Sequence, residues 1–125
     1  MAANSKNALT PHQIITAGVM TGNITSDPTN IQYLDNVSIQ LNFTGTPTGT
    51  FSVQGSLDYQ QASPYAKAVT GNWIDLTLSP APAASGSASQ ILLDLNQLSF
   101  PWIRVVYTFS SGTGSLDAYI SGKAV

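Results

Sequence analysis

The acid–base inventory of this chain is short: one histidine, His12, six aspartates, no glutamate and no cysteine. A Ser-His-Asp relay therefore has a single candidate base. His12 lies in an aperiodic N-terminal stretch, where an imidazole is not held in fixed geometry against a hydroxyl, so its plain role is that of a solvated tail residue. Glycoside hydrolysis needs two carboxyls facing each other across a sugar. Asp27, Asp35, Asp58, Asp75, Asp94 and Asp117 are instead scattered singly along the chain. The absence of cysteine removes thiolate nucleophiles and Cys-ligated zinc. The nearest approaches to a calcium loop, Asp94-Leu95-Asn96 and Asp35-Asn36, fit strand or turn positions better than a ligand cluster. Gly112-Thr113-Gly114 lacks the lysine and the following helix of a phosphate loop and fits a turn. The sequence thus predicts no enzymatic activity, no catalytic residue, no metal site and no cofactor. Three glycosylation sequons, at Asn23, Asn36 and Asn42, come without an apolar secretory signal after Met1 and are assigned no role.

What remains is recognition chemistry. Trp73, Trp102, Arg104 and Tyr119 are the residue types that anchor interfaces, because they bring large rigid apolar area and a planar charge together. The structural alternative is that Arg104 pairs with an aspartate or stacks on Trp102 or Tyr119. Charged residues make up 8% of the chain and its net charge is −2, so no basic cluster is available to neutralise phosphates and no nucleic-acid partner is expected. The longest apolar runs, near 91–93 and 105–107, fall far short of the roughly 20 residues that span a bilayer, so no membrane segment is expected.

Such anchors need a rigid scaffold, and the composition points to strands. The chain is poor in helix formers and rich in Ser, Thr, Gly and Pro, and it alternates short apolar runs with turn clusters. Val37, Ile39, Leu41 and Phe43 fall on one face, as do Phe51, Val53, Gly55 and Leu57. The intervening 44–50 turn predicts a hairpin with Phe43 opposite Phe51. A second hairpin is predicted around Gly112-Thr113, pairing Phe109 with Leu116, Tyr107 with Ala118 and Val105 with Ile120. Its outward face would gather Trp102 and Arg104 beside Tyr119. Further strands are expected at 13–17, 31–34, 74–78 and 91–96, with 79–89 as a small-residue loop. At 125 residues the expectation is one domain: an all-β, jelly-roll-like two-sheet β-sandwich of about eight antiparallel strands over 13–125, preceded by a flexible N-terminal arm over 1–12.

Taken together, Gly49-Thr-Phe-Ser-Val-Gln-Gly-Ser-Leu-Asp-Tyr59, Gly71-Asn-Trp-Ile-Asp-Leu76 and Trp102-Ile-Arg-Val-Val-Tyr-Thr-Phe-Ser-Ser-Gly-Thr-Gly-Ser-Leu116 resemble small structural proteins of tailed bacteriophages. Within that group they resemble the capsid decoration (cement) proteins. The resemblance covers most of 13–125 and rests on strand-and-turn patterns. It implies a module that forms a homo-oligomer, dimer or trimer, on the major capsid protein, with synthesis in a host cytoplasm and a final location on the capsid surface of the virion. A tail or connector protein would share these features. The same segments are also similar to galactose-binding, discoidin-type jelly rolls. That resemblance implies a carbohydrate- or receptor-binding module in which Trp73, Trp102 or Tyr119 stacks on a sugar, although no ligand residues match that family position by position.

Overall fold

The computed structural model describes residues 7–124. Among them are ten strands and no helix: β1 (Ala8–Val19), β2 (Ile24–Thr25), β3 (Thr29–Asn30), β4 (Asn36–Gly45), β5 (Thr48–Ser56), β6 (Ile74–Asp75), β7 (Ala83–Ser85), β8 (Ser89–Leu95), β9 (Trp102–Ser111) and β10 (Gly114–Lys123). One sheet runs β1-β10-β4-β8. The other runs β2-β9-β5-β6, with β3 also on β9 and β7 also on β5. All ladders are antiparallel.

Because β2 and β3 share one partner, and β6 and β7 share another, each of these pairs is one interrupted strand. Eight strand positions result, in the orders 1-8-3-6 and 2-7-4-5. Position 1 pairs with 8, 2 with 7, 3 with 6 and 4 with 5, which is the pattern of a long two-stranded ribbon rolled over on itself. The β-sandwich is therefore a jelly roll.

The alternating apolar residues seal the sandwich. Ile39 and Leu41 of β4, Val53 of β5, Ile103, Val105 and Tyr107 of β9, and Leu116, Ala118 and Ile120 of β10 are buried. Each large aliphatic side chain so placed contributes roughly 1.5–3 kcal/mol. Phe43, Phe51 and Tyr107 stack in series through the core, with ring centroids 5.5 Å and 5.1 Å apart.

The two expected hairpins do not form. β4 and β5 lie in different sheets, as do β9 and β10, so Phe43 meets Phe51 across the core rather than along a ladder. Period-two alternation determines which face of a strand is buried and says nothing about which strand it pairs with. The turns decide that. Gly45 and Gly112 both hold left-handed backbone, at φ +87° and +86°, and carry the chain from one sheet to the other. The two corners interlock: Thr46 N–H donates to the Thr113 carbonyl at 2.7 Å, and a Cβ on Gly112 would collide with the Thr46 carbonyl oxygen. Pro47 is fully buried between them.

Other boundaries also shift. The expected arm falls partly on residues 1–6, outside the described residues, while Ala8 and His12 already pair with Lys123 and Ile120 as part of β1. β1 slips register against β10 three times, and each bulge resets the alternation that a period-two reading depends on. The early strand expected at 31–34 lies two residues sooner, at β3, leaving Ile31 and Leu34 buried beyond its end. The expected loop 79–89 contains β7, whose Ala84 is buried against the core; its small side chains let this stretch lie close along β5. The strand expected at 74–78 shortens to β6, although Leu76 and Leu78 still pack on the core.

Candidate functional site

Because β9 and β10 belong to opposite sheets, their outward residues point away from each other. Tyr119 lies on the outer face of the first sheet between Gln13 and Gln40, remote from Trp102 and Arg104 on the second. Three of the four expected anchors, Trp73, Trp102 and Arg104, do come together, and a residue that sequence reasoning passed over, Tyr59, joins them.

The second sheet supplies the floor. Arg104 of β9 is opposite Gln54 of β5, and Gln54 is opposite Asp75 of β6. This register makes a polar row: Arg104 Nε donates to Gln54 Oε1 at 2.8 Å, and Gln54 Nε2 donates to Asp75 Oδ1 at 2.8 Å. The aromatic wall comes from the chain between β5 and β6. Residues 57–73 leave the sandwich as an excursion held by two isolated bridges, Gln60 with Val69 and Ser63 with Ala66. At its tip Tyr65 is 98% exposed. At its base Trp73 folds back so that the Arg104 guanidinium carbon sits 4.3 Å from the ring centroid, while its indole N–H donates to the Thr70 carbonyl at 3.1 Å. Tyr59 fills the gap, 5.3 Å from Trp73 and edge-on to Trp102 at 4.8 Å. Tyr59 follows the end of β5 and has no place in its alternation, so no periodicity marked it.

Asp58 fastens the base of the excursion. Its carboxylate accepts from the Asn72 backbone N–H at 2.7 Å, the Asn72 side-chain amide at 2.8 Å and the Ser56 hydroxyl at 3.0 Å. These donors, the Asn72 backbone foremost, hold the carboxyl below its ordinary value of 3.8. Gly71, at φ +72°, lets the returning chain pass against the Tyr59 backbone, where a Cβ would not fit. Burial pulls the Arg104 pKa down from its ordinary value, and the guanidinium stays cationic at physiological pH.

On the other side of β6 is an apolar notch of about 490 Å³ lined by Gly55, Leu57, Ile74, Leu76 and Phe100. Leu57 and Ile74 are 77% and 70% exposed at its mouth. Among the described residues, no three His, Asp, Glu or Cys side chains converge. A planar cation over an indole, two further aromatic rings and an amide–carboxylate row lie together beside an apolar notch, and these are residue types enriched where proteins bind partners.

No protein-family model matches the sequence, and no curated protein matches it. Similarity is found among solved structures. The SPBc2 prophage-derived protein YomS superimposes with a TM-score of 0.57 over 98% of this chain and 99% of that one, at 7% identity. A chain of the infectious bursal disease virus Gx strain superimposes with a TM-score of 0.55 over 97% of this chain at 13% identity, and this chain spans 32% of that one. The fold is shared; the sequences are not. At these identities the likeness establishes the β-sandwich and leaves function to the residues on its surface.

Proposed function

We propose that this chain is a non-enzymatic structural protein of a virion, which binds the outer surface of a phage capsid as a homo-oligomer and stabilises the assembled shell. The observation that carries the reading is the outward cluster of Tyr59, Trp73, Trp102 and Arg104 at the foot of an exposed excursion. It concentrates on one face the residue types that dominate binding energy. A full-length fold likeness to a prophage-derived protein, and a partial one to a viral chain, support placing the protein in a virus particle. The major capsid protein is the proposed partner. Individual contacts can be weak, because an oligomer touching several capsid sites gains through effective concentration.

The cluster's internal contacts favour a protein surface over a sugar as its partner. Arg104 covers one face of Trp73, the Trp73 N–H is spent on Thr70, and Tyr59 abuts both indoles. A stacking platform needs a flat ring face open to the ligand. The expected outcome of sedimenting purified protein with undecorated capsids of its phage is co-pelleting of the wild type. Trp102→Ala should bind about 30-fold more weakly, as loss of a hot-spot residue worth about 2 kcal/mol requires. Tyr119→Ala, on the opposite sheet, should bind as wild type. Wild type left in the supernatant, or Trp102→Ala pelleting equally well, would overturn the proposal; glycan-array binding lost in Trp102→Ala would replace it with the carbohydrate reading.

A further inference from the structure

The jelly roll has four sheet edges, and three are blunted. β1 carries Pro11 and three register slips against β10. On the second sheet, one edge is broken into β2 and β3, two residues each, with Pro28 between them. The other is broken into β6 and β7, with Pro80 and Pro82 between them. Bulges, prolines and very short strands are the devices by which proteins stop a sheet from adding a further strand. The fourth edge, β8, has none of them. Its seven residues, Ser89–Leu95, pair with β4 without a slip, from Ser89 opposite Phe43 to Leu95 opposite Val37. They contain no proline, glycine or lysine. Among the described residues no backbone hydrogen bond reaches the outer edge of β8.

The side chains of β8 also sit at an unfinished margin. Ile91, Leu93 and Leu95 face the core and are only partly buried, whereas their neighbours on β4, Leu41, Ile39 and Val37, are sealed. Outward, Leu92 is 69% exposed between the polar Gln90 and Asp94.

We infer that β8 is a docking edge for β8 of a second copy of this chain, antiparallel and centred on Leu92, so that the two four-stranded sheets join into one. The occupant follows from self-complementarity. In that register Leu92 meets Leu92, Gln90 meets Asp94 and Ile91 meets Leu93, so each carboxylate receives an amide donor and the three central apolar residues meet apolar partners, while Leu95 falls opposite Ser89 at the ends. Sliding by two residues either way preserves the faces but sets Leu92 against Asp94 or against Gln90. Sliding by one turns core-facing residues outward. The two-fold axis through Leu92 also closes the assembly at a dimer, which an open-ended head-to-tail edge contact would not do.

This inference rests on the oligomeric part of the function proposed above and adds its geometry. It is tested on the purified chain alone, with no capsid present, so its failure and failure of shell binding read out separately. Size-exclusion chromatography with light scattering over a concentration series should show a monomer–dimer equilibrium. Leu92→Lys, a change at an exposed position, places two ammonium groups face to face and should weaken the dimer at least tenfold, by about 1.4 kcal/mol or more. Gln90→Asp, which opposes two carboxylates, should act in the same direction, while Gln90→Lys, which opposes a cation to Asp94, should dimerise at least as well as wild type. Circular dichroism should show all three folded. Wild-type protein that remains monomeric throughout, or an oligomer indifferent to Leu92→Lys, would overturn the inference.

Discussion

Two regions of this jelly roll contain glycines in the same left-handed backbone and put them to opposite uses. At the interlocked corner, Gly112 turns β9 into β10 directly against the β4–β5 turn, with Pro47 buried beneath and Thr46 bonded to Thr113. At the base of the excursion, Gly71 returns the chain against Tyr59, but the segment it closes is mostly exposed and has only two backbone bridges besides the Asp58–Asn72 fastening. Equal local strain should therefore have unequal consequences. The corner joins both sheets and cannot open without separating them. The excursion can open alone, which limits how much of its strain reaches the global equilibrium.

Gly112→Ala should be the most damaging change, costing about 3 kcal/mol through backbone strain and collision with the Thr46 carbonyl. The midpoint of urea unfolding checks this. Gly22→Ala, where nothing lies within 4 Å of the added Cβ, is the control expected to move it little. Gly71→Ala meets comparable strain but should lower global stability by no more than about 1 kcal/mol, since local opening caps the cost. Its signature should be a changed near-ultraviolet dichroism from Trp73 and Trp102 and faster proteolysis within 57–73. If the two variants unfolded at the same midpoint, the contrast between the regions would be wrong.

Acid sharpens the contrast further. The Asp58 carboxyl is held below 3.8 in the folded protein, so the fastening it provides is fully present above that value and is lost as pH falls through the lower, folded-state pKa. Cleavage within 57–73 should accelerate in that acidic window while the sheets keep their far-ultraviolet signal, and Asp58→Asn should show some of the same sensitivity at neutral pH. The smallest effect is expected in the core. Tyr107 is fully buried with its hydroxyl unpaired among the described residues, so Tyr107→Phe should lie within about 1 kcal/mol of wild type, on the stabilising side. Burial raises the Tyr107 pKa above its ordinary 10.0. Its contribution is complete below that pH and declines as pH rises through the folded value. Removing the hydroxyl should soften alkaline unfolding, which a pH series of melting temperatures would detect.

What the sequence determined by itself was the inside and outside of the long regular strands β4, β5, β9 and β10. Val37, Ile39, Leu41 and Phe43, then Phe51 and Val53, then Ile103, Val105 and Tyr107 are core residues because period two matches the pleat, a local property that needs no knowledge of neighbours. The residue types at Trp73, Trp102 and Arg104 singled them out as candidate anchors, and these three lie together in the fold. Only the tertiary structure decided their company. Whether the chain doubles back or crosses to the other sheet depends on how the corners at Gly45 and Gly112, 67 residues apart, pack together, Gly45 against Thr113 and Gly112 against Thr46 and Pro47. That choice sent Tyr119 to one face and left Trp102 and Arg104 on the other, where an excursion with no periodicity of its own could bring Tyr59 and Trp73 to meet them.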